Sequence, residues 1–181
     1  MIIGSDGVGK STILHQYIEK TEFQSISLIT IGVEFKTKII TTDGQSVKLL
    51  LSDIAGHEKF APMRQTYFTG AAGCVVVYDI TDRHSFEAVD KWFEEFLSTA
   101  DKSIPLTLVG NKIDLANERQ ITFNEGATKA EEKGASFFET SAKTGTLSID
   151  ELFEDLAKRK LQIKNNFLEK TALKQIDSTI R

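Results

Sequence analysis

Apolar and polar positions along the 181-residue chain follow two periods in alternation. "GCVVVYD" at 73–79 and "IPLTLVG" at 104–110 are near-continuous apolar runs, the pattern of strands buried on both faces. "VEFKTKII" at 33–40 alternates instead, passes through "TTDGQS", and returns as "VKLLLSD" at 47–53. Asp43-Gly44 is a hairpin dipeptide, so these two strands are predicted to be antiparallel. "ASFFETS" at 135–141 reads as a last strand, and Met1–Ile3 as a short apolar stub before the glycines. Between these runs the period lengthens to that of helices. Ile13, Leu14, Tyr17 and Ile18 share one side of a helix predicted over Ser11–Lys20. Phe86, Val89, Trp92, Phe93 and Phe96 mark a second helix. Thr122 and Glu125 predict a capping box for a helix that stops at Gly134. Ile149, Leu152, Phe153 and Leu156 begin the last helix.

Strands alternating with helices imply an α/β fold with a mostly parallel sheet and helices on both faces. Ligands of such sheets bind beyond the carboxyl ends of the strands. The polar motifs of this chain all follow strand ends, so they are expected to meet at one site. Size and composition add a single domain with one core, 40% of the residues being apolar. No run of 18 apolar residues is present to cross a bilayer. The N-terminus has no basic segment followed by an apolar one, so no signal peptide is read there. The lone cysteine, Cys74, lies in an apolar strand and reads as an inert core thiol, which suits the cytoplasm.

Charge divides the chain. Residues 1–157 hold 15 Lys and Arg against 24 Asp and Glu, a net of −9. Residues 158–181 hold 7 against 2, a net of +5. The acidic body argues against nucleic acid as a partner. Residues 161–181 read as a basic tail, helical or flexible, after a domain over 1–160. The plain reading of its charge is a solvated helix face, and the sharper one is contact with an anionic membrane or acidic partner.

Chemistry concentrates first in "GSDGVGKS" at 4–11, which fits G-x-x-x-x-G-K-[ST] between a strand and a helix. Glycines allow torsions that turn successive N–H groups inward around phosphate oxygens. Lys10 can then reach the outer phosphates, and the Ser11 hydroxyl can bind Mg²⁺. In "LVGNKIDL", the Asp114 carboxylate can accept from guanine N1–H and the 2-amino group, which adenine lacks. Asn111 would tie the loop together, and the Lys112 stem would lie over the base. In "TSAK" at 140–143, the Ala142 N–H can hold the guanine carbonyl. Each of these two motifs alone is an ordinary turn, whereas both in order after a phosphate loop point to GTP. Asp114 also argues against an ATP-using kinase.

With these motifs in place the chain resembles the Ras-superfamily small GTPases, and the Rab branch most. "TIGVEF" at 30–35, "YFTGA" at 67–71 and "VVYDITD" at 76–82 carry the likeness, which covers residues 1–160. The resemblance implies a P-loop small G-protein fold with a six-stranded sheet and five helices, in which Met1–Ile3 would be the last part of a truncated first strand. It also implies a switch between GTP and GDP forms, with Mg²⁺, in vesicle traffic or signalling. By that likeness, Ser5, Asp6, Gly7, Val8, Gly9, Lys10, Ser11 and Thr12 would hold phosphates. Phe23 would pack on guanine, and Asn111, Lys112, Asp114, Leu115, Ser141, Ala142 and Lys143 would surround it. Ser11 and Thr30 would bind Mg²⁺ directly and Asp53 through water, while the Gly56 N–H would meet the γ-phosphate. Exchange factors, GTPase-activating proteins and effectors would act through residues 23–35 and 53–71 of a monomer.

The departures fall in the hydrolytic machinery. The family's D-T-A-G-Q-E reads "DIAGHE" here, so His57 replaces the glutamine that orients the attacking water, and Ile54 the threonine. Asp6 stands where the phosphate loop usually has glycine or serine. Lys10, Thr30, Gly56 and His57 are thus the catalytic candidates, with slow intrinsic hydrolysis expected. The alternative is a GTP-locked binding scaffold whose hydrolysis is vestigial. Among effector-facing aromatics Phe35 and Tyr67 are kept, but Ser52 replaces tryptophan. The chain ends "QIDSTIR", with no cysteine there to prenylate, so the expectation is that the protein works in solution, uses another anchor, or continues past this end.

Overall fold

The computed structural model describes residues 1–20, 30–145 and 147–179. Among them six strands form one sheet in the order β2-β3-β1-β4-β5-β6. These are β1 (Ile2–Ile3), β2 (Val33–Thr42), β3 (Gln45–Ile54), β4 (Cys74–Asp79), β5 (Leu106–Asn111) and β6 (Ser136–Glu139). All neighbours run parallel except β2 and β3. The predicted hairpin forms because Asp43 and Gly44 both take positive φ, 48° and 72°. The short β1 lies at the centre, with Ile2 opposite Asp53 on one side and Val75 on the other. The Met1 carbonyl accepts from the Val75 N–H at 2.9 Å, which extends the pairing by one residue.

The helices are α1 (Lys10–Glu19), α2 (Ala61–Phe68), α3 (Arg83–Glu87), α4 (Val89–Leu97), α5 (Phe123–Glu132) and α6 (Leu147–Thr179). Phe86, Val89, Trp92, Phe93 and Phe96 were expected on one helix, but the ladder breaks at Ala88, where ψ rises to −10°, and Phe86 falls on α3. Asp82 caps α3 by accepting from the His84 N–H. At α5 the capping box is complete: Thr122 Oγ1 accepts from the Glu125 N–H, and Glu125 accepts from the Thr122 N–H. Arg83 and these Thr122 donors hold the Glu125 carboxyl well below the usual range, at about 2.

Each face of the sheet has its own core layer. On one, Phe68 of α2, Phe86 of α3, Val89, Trp92, Phe93 and Phe96 of α4 and Ala130 of α5 pack on Val76, Tyr78 and Leu108. On the other, Ile13, Leu14 and Tyr17 of α1 and Ile149, Leu152 and Phe153 of α6 pack on Val75, Val77 and Val109. Tyr17 and Phe153 stack at 4.2 Å between ring centroids. A fully buried side chain of this kind contributes about 1.5–3 kcal/mol. Cys74 is buried in the first layer, and burial pushes its thiol up to about 12, so it is an inert core thiol. The first three turns of α6 are covered by the core; farther along, Phe167 and Leu168 are exposed. No described helix is long and apolar enough to cross a membrane.

Candidate functional site

Four strand ends meet above the centre of the sheet. The loop after β1 runs into α1 and carries three glycines at positive φ, Gly4, Gly7 and Gly9. A Cβ on Gly9 would lie 2.3 Å from the Asn111 amide nitrogen, so the loop and β5 close on each other only through glycine. Lys10 is buried, and its ammonium donates to the carbonyls of Gly4 (2.9 Å) and Ser5 (2.8 Å). Burial pushes its pKa down to about 8, against the pull of Asp53 and Asp6. Asp6 is exposed and turns back on the loop, its Oδ1 accepting from the Gly7 N–H at 3.1 Å. Val8 is buried, while Ser5, Ser11 and Thr12 are half-buried.

Ser11, Thr30 and Asp53 come together from three elements. Ser11 and Thr30 hydroxyl oxygens are 2.9 Å apart. Both hydroxyls donate to Asp53 Oδ2, Thr30 at 3.3 Å and Ser11 at shorter range. Asp53 is only 2% exposed, and its Oδ1 has no hydrogen-bond partner among the described residues. Burial raises its pKa, more than the hydroxyl donors and the Lys10 charge lower it. A buried carboxylate with an orphan oxygen, beside two hydroxyls, fits a hard divalent cation that keeps waters and phosphates as its other ligands.

The ends of β5 and β6 build the other half. Asn111 donates to the Val8 carbonyl at 2.8 Å, across 103 positions of sequence. Its Oδ1 accepts from Thr140 Oγ1 (3.1 Å) and the Ala142 N–H (3.2 Å). The Ala142 N–H is thus engaged within the protein. Asp114 Oδ1 accepts from Ser141 Oγ at 2.6 Å, and Ser141 Oγ in turn accepts from the Thr144 N–H. The Lys112 ammonium pairs with Asp79 at 2.7 Å, which anchors its stem. Leu115 is half-buried and Lys143 exposed. Phe23 lies outside the described residues.

Beyond β3, Gly56 packs directly on the phosphate loop. A Cβ there would be 2.6 Å from the Gly4 carbonyl oxygen and 2.7 Å from the Asp6 nitrogen. His57 follows, exposed, with Nδ1 accepting from the Lys59 N–H at 3.3 Å. That bond occupies Nδ1 as an acceptor and leaves Nε2 as the ring nitrogen free to donate. Ile54 is buried with Phe68 in the core. Phe35 and Tyr67 lie 6.0 Å apart, and Ser52 sits opposite Phe35 in the β2–β3 register.

These features define a small GTPase, and the comparisons agree. The Ras family model matches residues 1–162. The chain is 44% identical to Ras-related protein Rab-4A of Mus musculus, Bos taurus and Homo sapiens. Each match runs over 159 residues, 88% of this chain and 72% of the relative. The chain therefore belongs to the Ras family, as a Rab-like GTPase and guanine-nucleotide switch.

Three side chains near the site escaped the sequence reading: Arg64, Trp92 as a hydrogen-bond donor, and Glu95. Arg64 is 1% exposed and forms a two-point pair with Glu95. A signal existed, since Arg64 shares the apolar face of α2 with Phe68, four residues on.

Proposed function

We propose that this protein binds GTP and GDP with Mg²⁺ at the meeting of the four strand ends and hydrolyses GTP slowly. The observation that carries the reading is the Ser11–Thr30–Asp53 cluster with its orphan carboxylate oxygen, beside a buried lysine. Ser11 and Thr30 hold Mg²⁺, with Asp53 acting through water. When bound, Mg²⁺ neutralises phosphate charge. The Lys10 ammonium exchanges its two loop carbonyls for phosphate oxygens, joined by backbone N–H groups of Ser5 to Thr12. Asp114 and Ser141 face guanine, and Asn111 keeps their loops in register, with Lys112, Leu115, Ala142, Lys143 and Phe23 closing the base pocket. Thr30 and the Gly56 N–H respond to the γ-phosphate.

The slow rate follows from two side chains. His57, with Nδ1 occupied, cannot accept from water as the family glutamine does. The Asp6 carboxylate holds the Gly7 N–H and adds negative charge beside the phosphate loop. The same two observations favour the second reading, a GTP-locked scaffold. Residues 23–35 and 53–71 receive exchange factors, activating proteins and effectors. The protein acts as a monomer, with a GTPase unit over 1–160 and a basic tail over 161–181. It works in the cytoplasm or at the cytosolic face of membranes. A single-turnover assay compares wild type with Asp6→Ser/His57→Gln. The wild-type rate is expected about tenfold or more below that of the double variant. Equal rates overturn the slow-hydrolysis reading. Nucleotide extracted from fresh protein separates the two functions, GDP marking the switch and GTP the scaffold.

A further inference from the structure

The Arg64 guanidinium makes four directed contacts. Nε and Nη2 donate to the two Glu95 oxygens at 2.9 and 3.0 Å. Nη1 donates to the His57 carbonyl at 3.2 Å. Its carbon lies 4.6 Å from the centre of the Trp92 ring. Trp92 Nε1 in turn donates to Ser5 Oγ at 3.3 Å. An unbroken path of contacts thus joins the phosphate loop to α4, α4 to Arg64, and Arg64 to the backbone at His57. An apolar pair of similar volume would stabilise the core about as well, because the cost of taking a guanidinium out of water offsets most of what its pairing gains. What the apolar pair lacks is direction. The planar fork fixes where the His57 carbonyl sits relative to Glu95. Gly56, one residue earlier, is the one that packs on the Gly4 and Asp6 backbone.

We propose that Arg64 is a positioning residue for GTP hydrolysis: held by Glu95 and stacked on Trp92, it fixes the segment at Gly56 and His57 against the phosphate loop. The hydrolysis part rests on the reading above. Arg64 touches no reacting atom; it orients backbone that does.

Trp92 is the sole tryptophan, so its emission reports on this path alone. Wild type, Arg64→Met, Glu95→Gln and Lys91→Ala are each loaded with GDP and then with a non-hydrolysable GTP analogue, and Trp92 emission is recorded. Single-turnover hydrolysis, GDP release and melting temperature are measured beside it. In wild type the emission changes between the two nucleotides. In Arg64→Met that change is lost and hydrolysis falls about five- to tenfold, while GDP release stays within about twofold. Glu95→Gln, nearly isosteric, moves both readouts the same way by less, and it serves if Arg64→Met does not fold. Lys91→Ala removes an exposed pair with Glu58 on the same helix and leaves both readouts as in wild type. Emission that ignores the nucleotide in wild type overturns the proposal. So do folded Arg64→Met and Glu95→Gln proteins that melt earlier yet keep both readouts, since the pair is then structural. If no variant releases phosphate, the hydrolysis reading fails and the emission arm decides on its own.

Discussion

The guanine-facing side of the site and the phosphate-cleaving side are built differently. On the first, Asn111, Thr140, Ser141 and Ala142 are buried and joined by hydrogen bonds that reach back to Val8. On the second, Asp6 and His57 are exposed, and among the described residues each side chain accepts a backbone N–H from within two residues of itself. Binding needs a rigid, pre-organised pocket, whereas a switch needs a segment able to move when the γ-phosphate leaves. Two of the departures from the family's usual residues, Asp6 and His57, stand at exposed positions of the second side, whereas the third, Ile54, is packed in the core beside Phe68. Arg64 on that side is buried too.

The contrast breaks most visibly at Asn111. Asn111→Ala leaves the Val8 carbonyl, the Thr140 hydroxyl and the Ala142 N–H without their partner in a buried setting. Losing these bonds costs about 2–4 kcal/mol and should speed release of a fluorescent GDP on the order of 100-fold. Next comes Gly56→Ala. Its methyl would meet backbone atoms at 2.6 and 2.7 Å, which no rotamer change relieves. Hydrolysis in single turnover should fall about tenfold or more, with GDP release nearly unchanged, because only the movable side is displaced.

Lys10 sharpens the comparison through pH. With its pKa pushed down to about 8, it is partly neutral in the free protein above pH 8. Phosphates favour the charged form, so nucleotide binding near pH 9 should take up a proton, and affinity should decline as pH rises past 8. Calorimetry in two buffers of different ionisation enthalpy reads that uptake. For the free protein the sign is opposite. The unfolded chain binds more protons than the folded one between pH 8 and the ordinary lysine range, so stability rises across that window. The smallest effect belongs to Lys91→Ala. Its pair with Glu58 spans 2.6 Å but is mostly exposed, so thermal unfolding should shift by no more than about 0.5 kcal/mol.

Much of the molecule was readable before any coordinates. Asp43-Gly44 set the hairpin, Thr122 and Glu125 set the start of α5, and continuous apolar runs marked β4 and β5. Torsional preference, capping and side-chain period act within a few residues, so a linear reading captures them. The order of motifs at strand ends identified the family for the same reason. Tertiary structure decided what depends on strand order and register. It brought Ser11, Thr30 and Asp53 together across gaps of 19 and 42 residues. It gave the Ala142 N–H to Asn111 and buried Arg64 against Glu95. None of these follows from local sequence, because a polar side chain's partner is chosen by what the packed sheet and helices bring within 3 Å of it, and by how strongly burial penalises leaving it unpaired.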